Sequence, residues 1–301
     1  MLHTICNPYL SVTVSSRGAE LQSILDLDGT EYLWQGDPAY WKDRAPNLFP
    51  YIARLTEGKY ILHGRTYEMD IHGFAKNLTF EAERISDSCI CFWLADSEET
   101  RAQYPYHFRF CVRYALEGTE LQITYVVQNR DEKTMYFAVG AHPGFRVPFE
   151  TGTTFEDYEL VFDSVTEAKR IVFSEDCFVT DAEVPFILEE GKRMMLRHEL
   201  FDDDAVILRD MAKTVTLRSG KSKKGIQVSY PDMPYLGLWH MPRTNAPYVC
   251  IEPWSSLPSR KGIVEDLTRQ KNLLALDAGY EYKSQIRICV LVTSDMKEDE
   301  S

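Results

Sequence analysis

The sequence predicts an all-β protein, built as a large and mainly antiparallel β-sandwich. Three observations support this fold class. Many short segments alternate apolar and polar residues with a period of two, which is typical of strands with one packed face. Clusters of Gly, Pro, Asn and Asp separate these segments and indicate turns. Long helical patterns are absent, which argues against alternating β-α units.

Along the chain, DSEETRAQYP (96–105) is the one helical pattern and predicts one or two turns that end at Pro105. Strand patterns follow, and in ELQITYVVQN the residues Leu121, Ile123, Tyr125 and Val127 share one face. Similar alternation occurs in HFRFCVRYAL, YELVFD, RIVFS, TVTLRS, GIQVSY and QIRICVLVT. The basic turn GKSKKG (220–225) predicts a solvated hairpin between two of these strands.

No internal repeat or linker divides the chain, so we expect one domain over residues 1–301. The acidic segment SDMKEDES predicts a disordered tail at about 294–301. An exposed sandwich edge leaves both a monomer and a homodimer open.

The formal net charge of −13 argues against nucleic acid or an anionic membrane as a partner, because both require a basic surface. No stretch is long and apolar enough to cross a membrane, and the first residues lack a secretory signal pattern. The seven cysteines are odd in number and lie among apolar residues, without a zinc-ligand spacing. We therefore expect free thiols and a cytoplasmic protein.

Four short stretches carry polar groups in a context that favours chemistry. They are LFPYIAR, DIHGFAKN, AVGAHPGF and YVCIEPWSSLP, which contain Arg54, His72, His142 and Glu252 respectively. Both histidines follow strand-like runs and precede a Gly or Pro-Gly turn, so each is either a structural hydrogen-bonding residue or part of a site rim.

Glu252 is the most informative of these residues, because it follows the apolar run VCI and precedes Pro253 and Trp254. Burial raises the pKa of a carboxyl group and suits it to act as a base near neutral pH. Cys250 is close in sequence, but no histidine adjoins it to activate a nucleophile.

Together with RGAELQSILDLDGTEYLWQGDPAYW (17–41), these stretches resemble the aldose 1-epimerase (galactose mutarotase-like) family, particularly its LacX-like branch. Each motif alone is a weak signal, but their order and spacing over nearly the whole chain are specific. The resemblance implies a β-supersandwich that interconverts the α and β anomers of an aldose without a cofactor or metal.

The resemblance also implies roles for individual residues. It assigns the general base to Glu252, which as a carboxylate takes the proton from the anomeric hydroxyl. It assigns the general acid to His142, which is protonated at the outset and donates to the ring oxygen. His72 and Arg54 then hold the sugar hydroxyls.

A sugar-binding aspartate is also implied, and we place it at Asp204 of FDDDAVIL, with Asp203 and Asp232 as alternatives. Trp254 offers a flat face for a sugar ring. Related sequences commonly read HGFAR, whereas this chain has Lys76 at the last position, a point charge instead of a planar fork.

Two other functions remain open from the sequence. The first is a hexose-6-phosphate 1-epimerase, which requires cations such as Arg54, Lys76 and Arg146 to converge on a phosphate. The second is a non-catalytic carbohydrate-binding protein that has kept the fold.

Overall fold

The computed structural model describes residues 1–164 and 167–291, so the tail expected at about 294–301 lies outside the described residues. The strands are β1 Leu2–Cys6, β2 Leu10–Ser15, β3 Leu21–Asp26, β4 Asn47–Leu48, β5 Lys59–Leu62, β6 Arg65–Glu68, β7 Glu81–Ser86, β8 Cys89–Ala95, β9 Phe108–Glu117, β10 Glu120–Asn129, β11 Met135–Phe137, β12 Gly140–Ala141, β13 Gly144–Arg146, β14 Tyr158–Phe162, β15 Lys169–Phe173, β16 Val179–Pro185, β17 Arg193–Met195, β18 Val206–Arg209, β19 Thr214–Ser219, β20 Gly225–Ser229, β21 Tyr235–Trp239, β22 Tyr248–Trp254, β23 Leu274–Leu276 and β24 Glu281–Leu291.

The helices are short. They are α1 Glu98–Gln103 and the 3-10 turns Thr56–Gly58, Ala75–Asn77, Phe155–Asp157 and His198–Phe201. Helix α1 lies where the sequence predicts a helix, and a capping box between Ser97 and Thr100 begins it. None of the helices in the described ranges combines the length and the apolar character needed to cross a membrane.

Two large sheets form the body of the molecule. One has nine strands in the order β17-β14-β19-β20-β24-β10-β9-β8-β7. The other has eight strands, in the order β16-β15-β18-β21-β22-β12-β4, with β13 also paired to β22. The strand pairs of both sheets are antiparallel. The predicted all-β, mainly antiparallel fold is therefore confirmed.

The main core lies between the two large sheets. The face of β10 that the sequence predicts to be apolar is buried and belongs to this core. From the eight-stranded sheet, Val249 and Ile251 of β22 join the same cluster and are 0% exposed. Because successive strand residues point to opposite faces, the neighbours of Val249 and Ile251 point away from the core.

The eight-stranded sheet is buried on its outer face as well. On β22 this outer face carries Tyr248, Cys250, Glu252 and Trp254, and all four are buried. Strands buried on both sides have continuous apolar sequences, which explains the run YVCI that ends at Glu252. Residues from several loops, among them Arg54, His72 and Asp204, line a cavity over this outer face together with Glu252.

The turn predicted at 220–225 joins β19 to β20 as an antiparallel hairpin, but it is not fully solvated. The Nζ of Lys224 lies 2.6 Å from Asp26 and 2.8 Å from Asp28, and its side chain is only 13% exposed. The hairpin is thus fixed to the loop after β3 by its cation.

A second buried polar contact joins two histidines. Nδ1 of His198 lies 3.0 Å from Nε2 of His240, and Nδ1 of His240 lies 2.8 Å from the carbonyl oxygen of Met241. A carbonyl only accepts, so Nδ1 of His240 donates to it and Nε2 accepts from His198. His240 is 0% exposed, and burial lowers the pKa of His240 to about 4.

The lowered pKa of His240 predicts that the folded protein loses stability as the pH falls. Between about pH 6.5 and 4 the unfolded His240 binds a proton that the folded residue rejects, so the free energy of unfolding falls as the pH is lowered. The full effect is about 3 kcal/mol at the lower limit. We expect His240→Gln to show a weaker pH dependence in urea denaturation measured between pH 7 and 4.5. The exposed His63 provides the control His63→Asn, and equal pH dependence of both variants would contradict the prediction.

Candidate active site

Strand register brings His142 and Glu252 together. Gly140 pairs with Trp254 and Gly144 pairs with Cys250, in one common register. The intervening His142 therefore stands directly opposite Glu252, although the two residues are 110 positions apart in the sequence.

The ladder is interrupted between these two pairs. Pro143 has no N–H to donate, while its carbonyl oxygen accepts from the N–H of Ile251 at 3.2 Å. On the other side, the N–H of His142 donates to the carbonyl of Pro46 at 3.1 Å. The backbone of His142 is thus held between β22 and the segment that leads to β4.

The two side chains approach closely. Nε2 of His142 lies 3.2 Å from Oε2 of Glu252, and the side chains are 11% and 1% exposed. Within the described residues, Oε2 of Glu252 and Nδ1 of His142 are buried without a hydrogen-bond partner, because the 3.2 Å contact is not aligned for one. Buried polar atoms are nearly always paired, so two unpaired atoms at one place mark a candidate site for a ligand.

Burial sets the charge of this pair. It raises the pKa of Glu252 well above its usual range, and the nearby charge of Asp204 raises it further. Burial also lowers the pKa of His142, as does the positive charge of Lys76. The pair of the ligand-free protein therefore favours a protonated carboxyl beside a neutral imidazole, with 3.2 Å between Oε2 and Nε2.

A glycine makes room for the carboxyl. On the other neighbour of β22, Gly237 of β21 pairs with Glu252. A Cβ at this position would lie 3.2 Å from Cβ of Glu252 and 3.5 Å from Trp254. Any larger residue would therefore press on the side of the site that holds Glu252 and Trp254.

His72 lies on a separate loop that is hydrogen-bonded to the segment before Arg54. The N–H of His72 donates to the carbonyl of Ala53 at 3.0 Å, and the N–H of Ala53 donates to Nδ1 of His72 at 3.1 Å. Burial lowers the pKa of His72 well below its usual range, and neighbouring cations lower it further. Nδ1 is thus the acceptor, and Nε2 of the neutral ring carries the proton and is free to donate.

Among the three candidate aspartates, the structure brings only Asp204 to this site. It has a left-handed backbone with φ 76°, and its Oδ1 accepts from the N–H of Ala205 at 2.7 Å. The thiol of Cys177 donates to its Oδ2 at 3.1 Å. Asp203 is exposed and lies outside the cavity lining, and Asp232 is exposed and accepts from the N–H of Gln285 at 3.0 Å.

Two cations, Arg54 and Lys76, lie at the rim. Within residues 1–164 and 167–291, neither side chain forms an ion pair. Burial lowers the pKa of Lys76, whereas the carboxylates of Asp43 and Asp70 raise it. Arg146, a third candidate cation, is exposed on β13 and does not reach this cavity.

Aromatic rings surround His142. Trp41 lies over it at 4.8 Å between ring centroids, and Trp239 meets it edge-on at 5.6 Å. His72 approaches at 5.5 Å, also edge-on. Trp254 forms part of the floor and is only 3% exposed, so Trp41 and Trp239 present more ring surface to a ligand.

These side chains line one cavity of about 260 Å³. It contains all seven residues that the sequence analysis selects, namely Arg54, His72, Lys76, His142, Asp204, Glu252 and Trp254. Small-molecule pockets are usually about 300–1,000 Å³, so this volume suits a ligand as small as one sugar ring. A larger cavity of about 440 Å³ lies beside Arg260, but its lining contains no histidine and Glu265 binds that arginine at 2.8 Å.

Sequence reasoning misses five polar or aromatic residues of the cavity: Trp41, Asp43, Phe173, Cys177 and Trp239. Gly237 of β21 pairs with Glu252, and Trp239 is two residues further along β21, so its side chain points to the same face of the sheet as Glu252. This relation becomes visible only when the pairing of β21 with β22 is known. Cys177 and Asp204 come from separate loops, and no local sequence pattern connects them.

Comparison with known proteins gives a consistent result. The family model described as Aldose 1-epimerase matches residues 1–273. The plasmid and chromosomal LacX proteins of Lactococcus lactis subsp. lactis are 36% identical to this chain over 283 residues, which cover 90% of this chain and 94% of each relative.

Two solved structures are also similar to this chain. The galactose mutarotase related enzyme of Lactobacillus acidophilus is 35% identical, with a TM-score of 0.92 over 99% of this chain and 100% of that protein. A galactose mutarotase-like protein of Lactobacillus casei is 32% identical, with a TM-score of 0.91 over 96% of this chain and 100% of that protein.

The loop that carries His72 provides a stability test. Gly73 has φ 71°, and an added Cβ would lie 2.3 Å from the carbonyl oxygen of Phe49. Gly64 has φ 76° with no atom within 4 Å of an added Cβ, so Gly64→Ala is a matched control for the left-handed backbone alone. We expect Gly73→Ala to lower the free energy of unfolding by about 2 kcal/mol more than Gly64→Ala in urea denaturation. If both variants lost the same free energy of unfolding, the close approach of Gly73 to the carbonyl oxygen of Phe49 would not contribute to stability.

Proposed function

The chain belongs to the aldose 1-epimerase family, and on this premise we propose that it interconverts the α and β anomers of a free hexose. The observation that carries the proposal is the cross-strand pair of His142 and Glu252, with 3.2 Å between Nε2 and Oε2. The anomeric hydroxyl oxygen and the ring oxygen are bonded to the same carbon of a hexose. Two neighbouring proton-transfer groups on one wall of the cavity can therefore reach both oxygens.

In the proposed reaction, Glu252 as a carboxylate removes the proton of the anomeric hydroxyl, and protonated His142 donates a proton to the ring oxygen. The bond between the anomeric carbon and the ring oxygen breaks, and the open-chain aldehyde forms. Rotation about the bond between C1 and C2 presents the other face of the carbonyl. The same groups then return their protons in the reverse sense, and the ring closes as the other anomer.

Once the pair is ionic, burial favours the proton transfers that accompany ring opening. Before this step the carboxylate and the imidazolium carry opposite charges, and after it both groups are neutral. A site of low polarity disfavours the separated charges, so it lowers the free energy of the state that accompanies the open-chain sugar. The neutral pair of the ligand-free protein becomes the ionic pair when one proton moves from Glu252 to His142, which requires the two side chains, 3.2 Å apart, to align into a hydrogen bond.

Other residues of the cavity hold the sugar in this proposal. His72 presents an N–H at Nε2, because its Nδ1 accepts from the backbone of Ala53. Asp204 offers carboxylate oxygens to sugar hydroxyls, in a position fixed by Cys177 and the backbone of Ala205. Donors and acceptors fixed in this way orient the ring against the reacting pair.

A hexose 6-phosphate is the second candidate substrate. It is supported by Arg54 and Lys76, two rim cations without an ion-pair partner among the described residues. Asp43 and Asp204 line the same cavity and repel a phosphate, which favours the free sugar.

The roles of the pair are tested by His142→Asn and Glu252→Gln. Glu252→Gln retains the shape of the side chain, His142→Asn retains a polar group near Nδ1, and both lose the proton transfer, so we expect interconversion to slow by at least about 10²-fold. Polarimetry on anomerically pure glucose and galactose measures the rate, and circular dichroism checks the fold. His63→Asn, on an exposed turn, is the control. Rates close to wild type for either variant would refute its role, and sugar binding by the wild type without any acceleration would identify a non-catalytic binding protein.

The substrate class is tested by comparing kcat/KM for glucose, galactose and glucose 6-phosphate. Because two carboxylates line the cavity with the two cations, we expect the free sugars to react with the higher kcat/KM. We expect Lys76→Met to change KM for glucose and glucose 6-phosphate by similar factors. A preference for the phosphate ester that Lys76→Met or Arg54→Gln selectively removes would instead identify a phosphosugar epimerase.

A further inference from the structure

A thiol lies behind the acid–base pair. One ring nitrogen of His142, Sγ of Cys250 and a carboxylate oxygen of Glu252 lie within 4.8 Å of one another, and all three residues are buried. Cys250 and Glu252 are two positions apart on β22 and so share its outer face, while His142 reaches them from the opposing segment. The proposed epimerase reaction gives Cys250 no function.

This combination of atoms matches the ligands that zinc prefers. Thiolate, imidazole and carboxylate are its three common protein ligands, and three protein ligands with an open fourth position are typical of accessible zinc sites. Ligand atoms around tetrahedral zinc stand about 3.5 Å apart. Nε2 of His142 and Oε2 of Glu252, at 3.2 Å, already have about this spacing, and Sγ of Cys250 lies within 4.8 Å of the ligand atoms of both residues.

A second observation indicates that the cluster lacks a partner. Oε2 of Glu252 and Nδ1 of His142 are buried and have no hydrogen-bond partner among the described residues. A cation bound to the carboxylate would satisfy Oε2 directly. The cavity on the other side of His142 and Glu252 supplies space for a water molecule as the fourth ligand.

The other thiol of this region, that of Cys177, already forms a hydrogen bond. Cys177 lies in the cavity lining, but its Sγ donates to Asp204 at 3.1 Å. It therefore serves as a control, since it is a cysteine of the cavity lining that lies outside the His142–Cys250–Glu252 cluster.

We infer that His142, Cys250 and Glu252 form an inhibitory binding site for Zn²⁺. On binding, the thiol of Cys250 and the carboxyl of Glu252 release their protons to solvent, and the ion takes the lone pairs that the proposed reaction uses. The bound ion therefore blocks proton transfer and competes with the sugar. Metal binding does not depend on the proposed function, whereas the inhibition does.

Binding is tested first with Co²⁺ as a spectroscopic substitute and with Zn²⁺ in calorimetry, on the full-length protein. We expect a thiolate-to-cobalt charge-transfer band in the wild type and in Cys177→Ser, and its loss in Cys250→Ala and Cys250→Ser. We also expect Zn²⁺ affinity to fall at least about tenfold in both Cys250 variants. Circular dichroism and sugar binding in metal-free buffer show whether these variants are folded.

Inhibition is tested by polarimetry with added Zn²⁺. We expect reversible inhibition, competitive with the sugar and relieved by a chelator, with a half-inhibitory concentration at least about tenfold higher in Cys250→Ala. A wild type without the charge-transfer band, or a folded Cys250→Ala that binds Zn²⁺ as tightly as the wild type, would overturn the inference. A Cys250-dependent band in a protein without mutarotase activity would keep the metal site and reject the proposed function.

Discussion

The site depends on the register in which residues 140–144 face β22. One pair on each side, Gly140 with Trp254 and Gly144 with Cys250, fixes His142 opposite Glu252. Cross-strand neighbours have Cβ atoms about 5 Å apart, so the two functional groups meet without any contribution from a flexible loop. A slip by one residue would turn every side chain of the shifted strand to the other face. The apolar residues Val249 and Ile251, which pack in the core, therefore also maintain the pairing of His142 with Glu252.

Burial of the eight-stranded sheet on both faces has a second effect. It removes water from Glu252 and His142, which raises the pKa of Glu252 and lowers the pKa of His142. Both shifts favour the neutral form of the side chain. The burial that stabilises the sheet and the shifted pKa values of the pair thus arise from one arrangement. The same burial leaves polar atoms of both residues without partners, which a fold selected for stability alone would not retain.

Much of the fold follows from the sequence, because period-two alternation and turn residues act locally. Helix α1 and the hairpin at 220–225 lie where the patterns predict them. The solvation of Lys224 was predicted wrongly, since its partners Asp26 and Asp28 are about 200 residues away in the chain.

Local patterns also single out His142 and Glu252, but the contact between them depends on strand pairing, which composition does not encode. Trp41, Cys177 and Trp239 escape detection for the same reason, and the choice of Asp204 over Asp203 requires the left-handed backbone that directs it to the cavity.

The position of β24 in the nine-stranded sheet has a consequence for synthesis on the ribosome. This strand, at residues 281–291, lies between β20 and β10 and joins two groups of four strands that form earlier in the chain. Until it emerges, both groups end in a bare edge with unpaired backbone groups, and such edges promote association between chains. The nascent protein is therefore exposed to aggregation through these edges until residues 281–291 have left the ribosome and paired with both groups.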